Sequence, residues 1–175
     1  MEQNVTTTTT KGLVIGLIMI VIAIAIYFLN IDPSGSSQWI SNIVFIAGII
    51  WSVHNYGKQI NYNGTFGNYF AHGFKVSAVV TCIMIIYLVI FMVIFPEFKD
   101  KALEQARIKM QQGGKMTSEQ IDQAVTLTKK FFMAFAIGGT LIGLLIFGAL
   151  AAVVGAAVTK KEPNTISGDI NQIGQ

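Results

Sequence analysis

The stretch FFMAFAIGGTLIGLLIFGALAAVVGAAV, Phe131–Val158, runs for 28 residues without a charged side chain. As an α-helix rising 1.5 Å per residue it is about 42 Å long, more than the ~30 Å hydrocarbon core of a bilayer. It reads as a membrane-spanning helix that tilts or projects beyond the membrane. Lys129-Lys130 and Lys160-Lys161 bracket it as polar anchors.

Three further apolar runs precede it: Leu13–Leu29, Trp39–Val53 and Phe74–Phe95. None contains Asp, Glu or Arg, and Lys75 sits at the edge of the third, where its stem can snorkel to the head groups. The second is the weakest, because Ser52, His54 and Asn55 crowd its far end; a re-entrant or interfacial segment is its alternative. Trp39 and Trp51 suit the two interfacial belts. The first run is longer than a signal-peptide core and no small-x-small site follows Tyr27-Phe28-Leu29-Asn30, so a retained helix is expected. Asn30-Ile31-Asp32-Pro33-Ser34-Gly35 is suited to the turn that ends it.

Composition agrees. The 175-residue chain is 53% hydrophobic and 12% charged, against about 25% charged for a soluble domain. Its net charge of +3 comes from lysines beside the apolar runs, which read as anchors to anionic lipid head groups and not as a nucleic-acid surface. The single cysteine, Cys82, excludes an intrachain disulfide.

Glu97–Lys130 is the one sizeable aqueous segment. Phe98, Ala102, Ala106 and Met110 recur every fourth residue, with Leu103 beside them, giving one apolar stripe. Glu97/Lys101 and Glu104/Arg107 have helix-compatible charge spacing. Gly113-Gly114 is a fitting stop, and Thr117-Ser118-Glu119-Gln120 reads as a capping box. Ile121, Ala124, Val125, Thr128 and Phe132 then continue one face into the last span. The fold expected is an all-α membrane protein with four transmembrane helices, about 12–29, 38–56, 68–95 and 131–158. An extramembrane helical hairpin over 97–130 separates the third from the fourth, with a disordered tail over 1–11 and a flexible one over 161–175. The raw lysine and arginine count favours the hairpin inside. Lys11, set against the absence of basic residues between Asn30 and Gln38, favours a cytoplasmic N-terminus, and both termini are assigned to that side.

Small residues mark packing or oligomerisation faces: Gly12 and Gly16 in the first helix, Gly139, Gly143, Gly148, Ala152 and Gly155 in the last. Such residues let backbones approach closely in lipid. Between His54 and Gly73 the chain interleaves aromatics, glycines and asparagines, and Asn63-Gly64 is a strong turn dipeptide. The plain reading is an aromatic interfacial anchor with a tight turn; the sharper one is a loop lining a polar vestibule.

The stretch Asn63-Gly64-Thr65-Phe66-Gly67-Asn68-Tyr69-Phe70-Ala71-His72-Gly73-Phe74 resembles the signature of a family of uncharacterised Bacteroidetes membrane proteins, the domain of unknown function numbered 4199. Gly64, Phe66, Gly67, Tyr69, Phe70 and Gly73 carry it, and Thr117–Ile121 and Lys129–Phe132 also fit. The resemblance implies four helices in a bacterial cytoplasmic (inner) membrane and no established activity, so no catalytic residues transfer with it.

Catalytic and metal candidates are sparse. His54 and His72 flank one loop and could approach each other, but a zinc site wants three or four ligands, and Cys82 lies about 15 Å deeper along its helix. No catalytic residue, cofactor or metal is assigned. Ser77, Thr81 and Thr140 are assigned backbone bonding. Three classes of function remain. A non-enzymatic accessory or scaffold would use the hairpin to contact a membrane-protein partner, a small transporter or channel subunit would work as a homo-oligomer, and a membrane enzyme would need clustered acids or histidines. The lipid bilayer is the one partner common to all.

Overall fold

The computed structural model describes residues 6–29, 31 and 36–159, and among these it forms six α-helices and no strand. They are α1 Thr8–Phe28, α2 Ser36–Gln59, α3 Phe66–Ile94, α4 Glu97–Gln112, α5 Ser118–Lys130 and α6 Phe132–Val158. The expected flexible tail over 161–175 lies outside the described residues.

Three helices, α1, α3 and α6, are long and apolar enough to cross a membrane. The second, α2, has the length at 24 residues, but Ser41 and Asn42 near its start and Ser52, His54, Asn55, Lys58 and Gln59 near its end dilute its apolar character. Disorder was expected up to Lys11, yet α1 begins at Thr8. The Thr7 hydroxyl accepts the Thr10 N–H and supplies the cap that a bare threonine tract lacks.

The helices α1, α2, α3 and α6 form a bundle with alternating directions. Gly48 of α2 faces Ile15, and Ser52 lies beside Lys11, so α1 and α2 run antiparallel. Gly12 and Gly16 face Val79 and Ile83, which sets α1 and α3 running the same way. On α6, Ala152 lies against Gly73 and Gly148 against Ser77, antiparallel to α3. The start of α1, the end of α6 and the α2–α3 turn therefore share one end, and the α4–α5 hairpin stands at the other.

Packing is uneven along this axis. Ile15, Met19, Phe45, Ile49, Val76, Val80, Ala151 and Ala152 form the main core, with Val53, Tyr69 and Ala156 next to it towards the terminal end. Every buried residue of α6 lies at or beyond Gly148, and every buried residue of α1 at or before Met19. Near the hairpin the bundle is held instead by aromatic rings. Tyr27 of α1 meets Phe91 and Phe95 at 5.0 and 4.9 Å between centroids, and Phe98 of α4 meets Phe91 at 5.3 Å.

The hairpin has its own small core. Leu103 of α4 and Ile121 of α5 are buried, and Arg107 pairs with Asp122 across the two arms. Gly113 caps α4, and Gly114 takes φ +61°, a conformation that glycine adopts without strain. The Thr117 hydroxyl accepts the Gln120 N–H while the Gln120 side chain accepts the Thr117 N–H, completing the capping box. Along α4 the expected Glu97/Lys101 and Glu104/Arg107 pairs are not made. Glu97 accepts from the Tyr27 hydroxyl at 3.0 Å, and Arg107 reaches across to α5. Such exposed pairs along one helix contribute only about 0.5 kcal/mol, too little to hold either side chain against a tertiary partner. Ile121→Ala is expected to cost the hairpin about 2–4 kcal/mol. Limited proteolysis should then cut near Gly113-Gly114 while the bundle stays protected; equal protection of both proteins would sink the idea.

Candidate functional site

At the terminal end, Lys11, Ser52, Tyr56, Gln59 and His72 meet in a buried polar nest. Lys11 opens the stripe Lys11, Ile15, Met19 on the inward face of α1, and is only 2% exposed. Its ammonium donates to the Gln59 Oε1 at 3.2 Å and to the Ser52 carbonyl at 3.4 Å, and lies 6.0 Å from the Tyr56 ring centroid. The Gln59 amide in turn donates to the Thr6 hydroxyl at 2.7 Å, a tie between the start of α1 and the end of α2. No carboxylate pairs with Lys11 among the described residues. Neutral acceptors and a ring face hold this cation.

His72 is held from two sides. Its Nε2 lies 3.2 Å from the Ser52 hydroxyl, and its ring stacks on Tyr56 at 4.2 Å and 5°. Ser52 and Tyr56 are one helical turn apart on α2, which is why one imidazole can reach both. A serine beside a histidine has the chemistry of a nucleophile and base. Here Ser52 is fully buried and Tyr56 stacks on the ring, so the pair ties α2 to α3.

The anticipated approach of His54 to His72 does not occur. His54 is two residues from Ser52, on the other side of α2, and lies exposed beside the Tyr62 ring at 6.2 Å. Among the described residues no three His, Cys, Asp or Glu side chains are grouped to hold a metal ion.

The connection between the helices expected at 38–56 and 68–95 is a few residues shorter: α2 runs on to Gln59 and α3 starts at Phe66, capped by the Thr65 hydroxyl. The turn is made by Asn61 and Tyr62, with φ of 51° and 56°, and not by the Asn63-Gly64 pair. Gly64 serves a different purpose. Its N–H donates to the Tyr69 hydroxyl at 3.2 Å, and a Cβ there would collide with the Tyr69 ring and Ile60. Of the other motif residues, Gly73 is wedged between Val53 and Ala152, Phe70 packs against both cores, and Phe66 and Gly67 are exposed.

The packing glycines divide by position. At Gly12, Gly16, Gly148 and Gly155 an added Cβ would crowd Val79, Ile83, Ser77 and Val53 respectively. Gly139 and Gly143, in the loosely packed half of α6, face open space.

The profile of a family described as a protein of unknown function, DUF4199, matches residues 10–161. The chain belongs to that family. The matched span takes in all but the first two residues of the bundle, so the nest at one end and the hairpin at the other both fall within the family region. No curated protein and no solved structure matches the chain.

The nest is what sequence reading missed. Sequence alone counts Lys11 among the lysines that anchor to lipid head groups, at the end of the tail over 1–11. A usable signal was its spacing: four residues before Ile15 and one before Gly12, it falls on the packing stripe. Ser52, Tyr56 and Gln59 share one face of α2 by the same rule.

Proposed function

We propose that this DUF4199 protein is a non-enzymatic membrane accessory that contacts a membrane-protein partner through the α4–α5 hairpin. The observation that carries this reading is the hairpin's self-sufficiency. It has its own buried pair, Leu103 and Ile121, its own capping box and its own cross-arm ion pair. A connector between two spans needs none of these. The filled core favours a solid scaffold over a pore within one chain, since Phe45, Ile49, Val76 and Val80 are fully buried at its centre.

In this reading α2 is a fourth span. Its 24 residues cover about 36 Å, and its polar residues face the nest or sit near the ends. The location is a bacterial inner membrane of Bacteroidetes type, with both termini cytoplasmic and the hairpin opposite. A homo-oligomeric transporter or channel is the second reading, favoured by the open face at Gly139 and Gly143.

Cross-linking in native membranes, followed by gentle purification of the tagged chain and mass analysis, tests the proposal. A stoichiometric foreign protein linked within Glu97–Lys130 is the expected result. Links between copies of this chain alone, concentrated on α6, would replace the accessory reading with the oligomeric one.

A further inference from the structure

We infer that the hairpin base binds anionic phospholipid head groups through Lys99, Lys101 and Lys130. The apolar span of α3 ends at Ile94 and that of α6 begins at Phe132, so the two elbows joining them to the hairpin lie at the depth of lipid phosphates. Of the lysines at this level, which include Lys129, three lie over an aromatic face. The Lys99 ammonium lies 5.8 Å from the Phe132 ring centroid, Lys101 5.7 Å from Tyr27, and Lys130 5.5 Å from Phe131.

None of the three is in an ion pair, since Arg107–Asp122 is the one salt bridge among the described residues. The nearby carboxylate of Glu97 accepts from Tyr27 instead. Ring faces position these cations without consuming their N–H donors, so each ammonium keeps hydrogen-bonding capacity for a phosphate oxygen. The placement gives two positions around the bundle. One, at the start of α6, takes Lys99 and Lys130; the other, at the end of α1, takes Lys101 over Tyr27.

A phospholipid suits the first position at both ends. Phe132, Gly139 and Gly143 fall on one face of α6 by helical spacing, and a Cβ at either glycine would meet no atom within 4 Å. With its head at Lys99, an acyl chain would run down this open face. A soluble phosphate compound would have no such apolar surface to cover, and a zwitterionic lipid brings its own cation beside its phosphate, in competition with the lysine ammonium groups. Each lysine near an anionic surface contributes about fivefold in affinity.

The test is native mass spectrometry of the full chain from neutral detergent with equimolar phosphatidylglycerol and phosphatidylcholine. The wild-type protein should retain the anionic lipid preferentially. Lys99→Gln/Lys130→Gln should weaken that preference roughly 25-fold, and Lys101→Gln about fivefold. Lys109→Gln/Lys115→Gln removes the same two charges from the far part of the hairpin and should leave the preference unchanged. Equal losses in the base and far-end variants would reduce the effect to net charge and overturn the site, as would an undiminished preference in the base variants. Circular dichroism of each variant, reading wild-type helicity, keeps misfolding out of the comparison.

Discussion

Gly73→Leu is expected to yield no folded bundle in detergent. Gly73 sits on α3 where α2 and α6 both press in, and a Cβ there would lie 2.7 Å from the Val53 Cγ2 and 2.8 Å from the Ala152 Cβ. The third contact, 3.2 Å, is to the Ala152 Cα, so relief requires moving the α6 backbone and not merely a rotamer. Even Gly73→Ala should cost about 1–3 kcal/mol, because overpacking in a closed core shifts backbones. The leucine adds three more carbons in the same place and should exceed the whole stability of the bundle. In membranes close helix approach is the principal source of association, since lipid is as apolar as the side chains it replaces. Gly139→Ala provides the contrast: its face is open, and the change should stay within about 0.5 kcal/mol. Unfolding in mixed micelles of rising SDS content, followed by circular dichroism, reads both. A folded Gly73→Leu protein with a wild-type midpoint would show that α2, α3 and α6 do not meet here.

His72→Ala is expected to be the most costly change in the polar nest, at about 2–4 kcal/mol. Two losses add. Stacking on Tyr56 contributes about 0.5–1.5 kcal/mol, and the buried Ser52 hydroxyl left without its partner costs about 1–3 kcal/mol. The second loss depends on the hydroxyl being present, which makes it separable. In His72→Ala/Ser52→Ala the unsatisfied group is gone, so the double variant should recover about 1–2 kcal/mol relative to the sum of the singles. The same micelle titration measures all four proteins. Strict additivity would mean that the two side chains do not communicate, and that the stack alone holds α2 to α3.

Much of the architecture was legible because it rests on long-period signals. A charge-free run such as Phe131–Val158 has few fates, and Thr117 with Gln120 is a local pattern that satisfies its own backbone. The features that escaped are those in which composition and position disagree. The Asn63-Gly64 dipeptide carries the stronger turn propensity, yet the turn falls at Asn61-Tyr62 because Gly64 is needed beneath the Tyr69 ring. Lys11 looked like a solvated flank, since only the partners on α2 reveal that it is covered. Propensity and charge are properties of one residue; the nest and the turn are set by neighbours on other helices.

The nest also orders events during synthesis. Lys11 leaves the ribosome 48 residues ahead of Gln59, its closest acceptor. At roughly 5–20 residues per second that interval is several seconds. Over that time α1 must wait with its ammonium held among head groups, unable to settle to its final depth. Only the arrival of α2, which carries the Ser52 carbonyl, the Gln59 amide and the Tyr56 ring, supplies the partners that Lys11 meets in the bundle. A nascent chain arrested before Gln59 therefore displays at the membrane edge a cation without the acceptor that the finished bundle supplies.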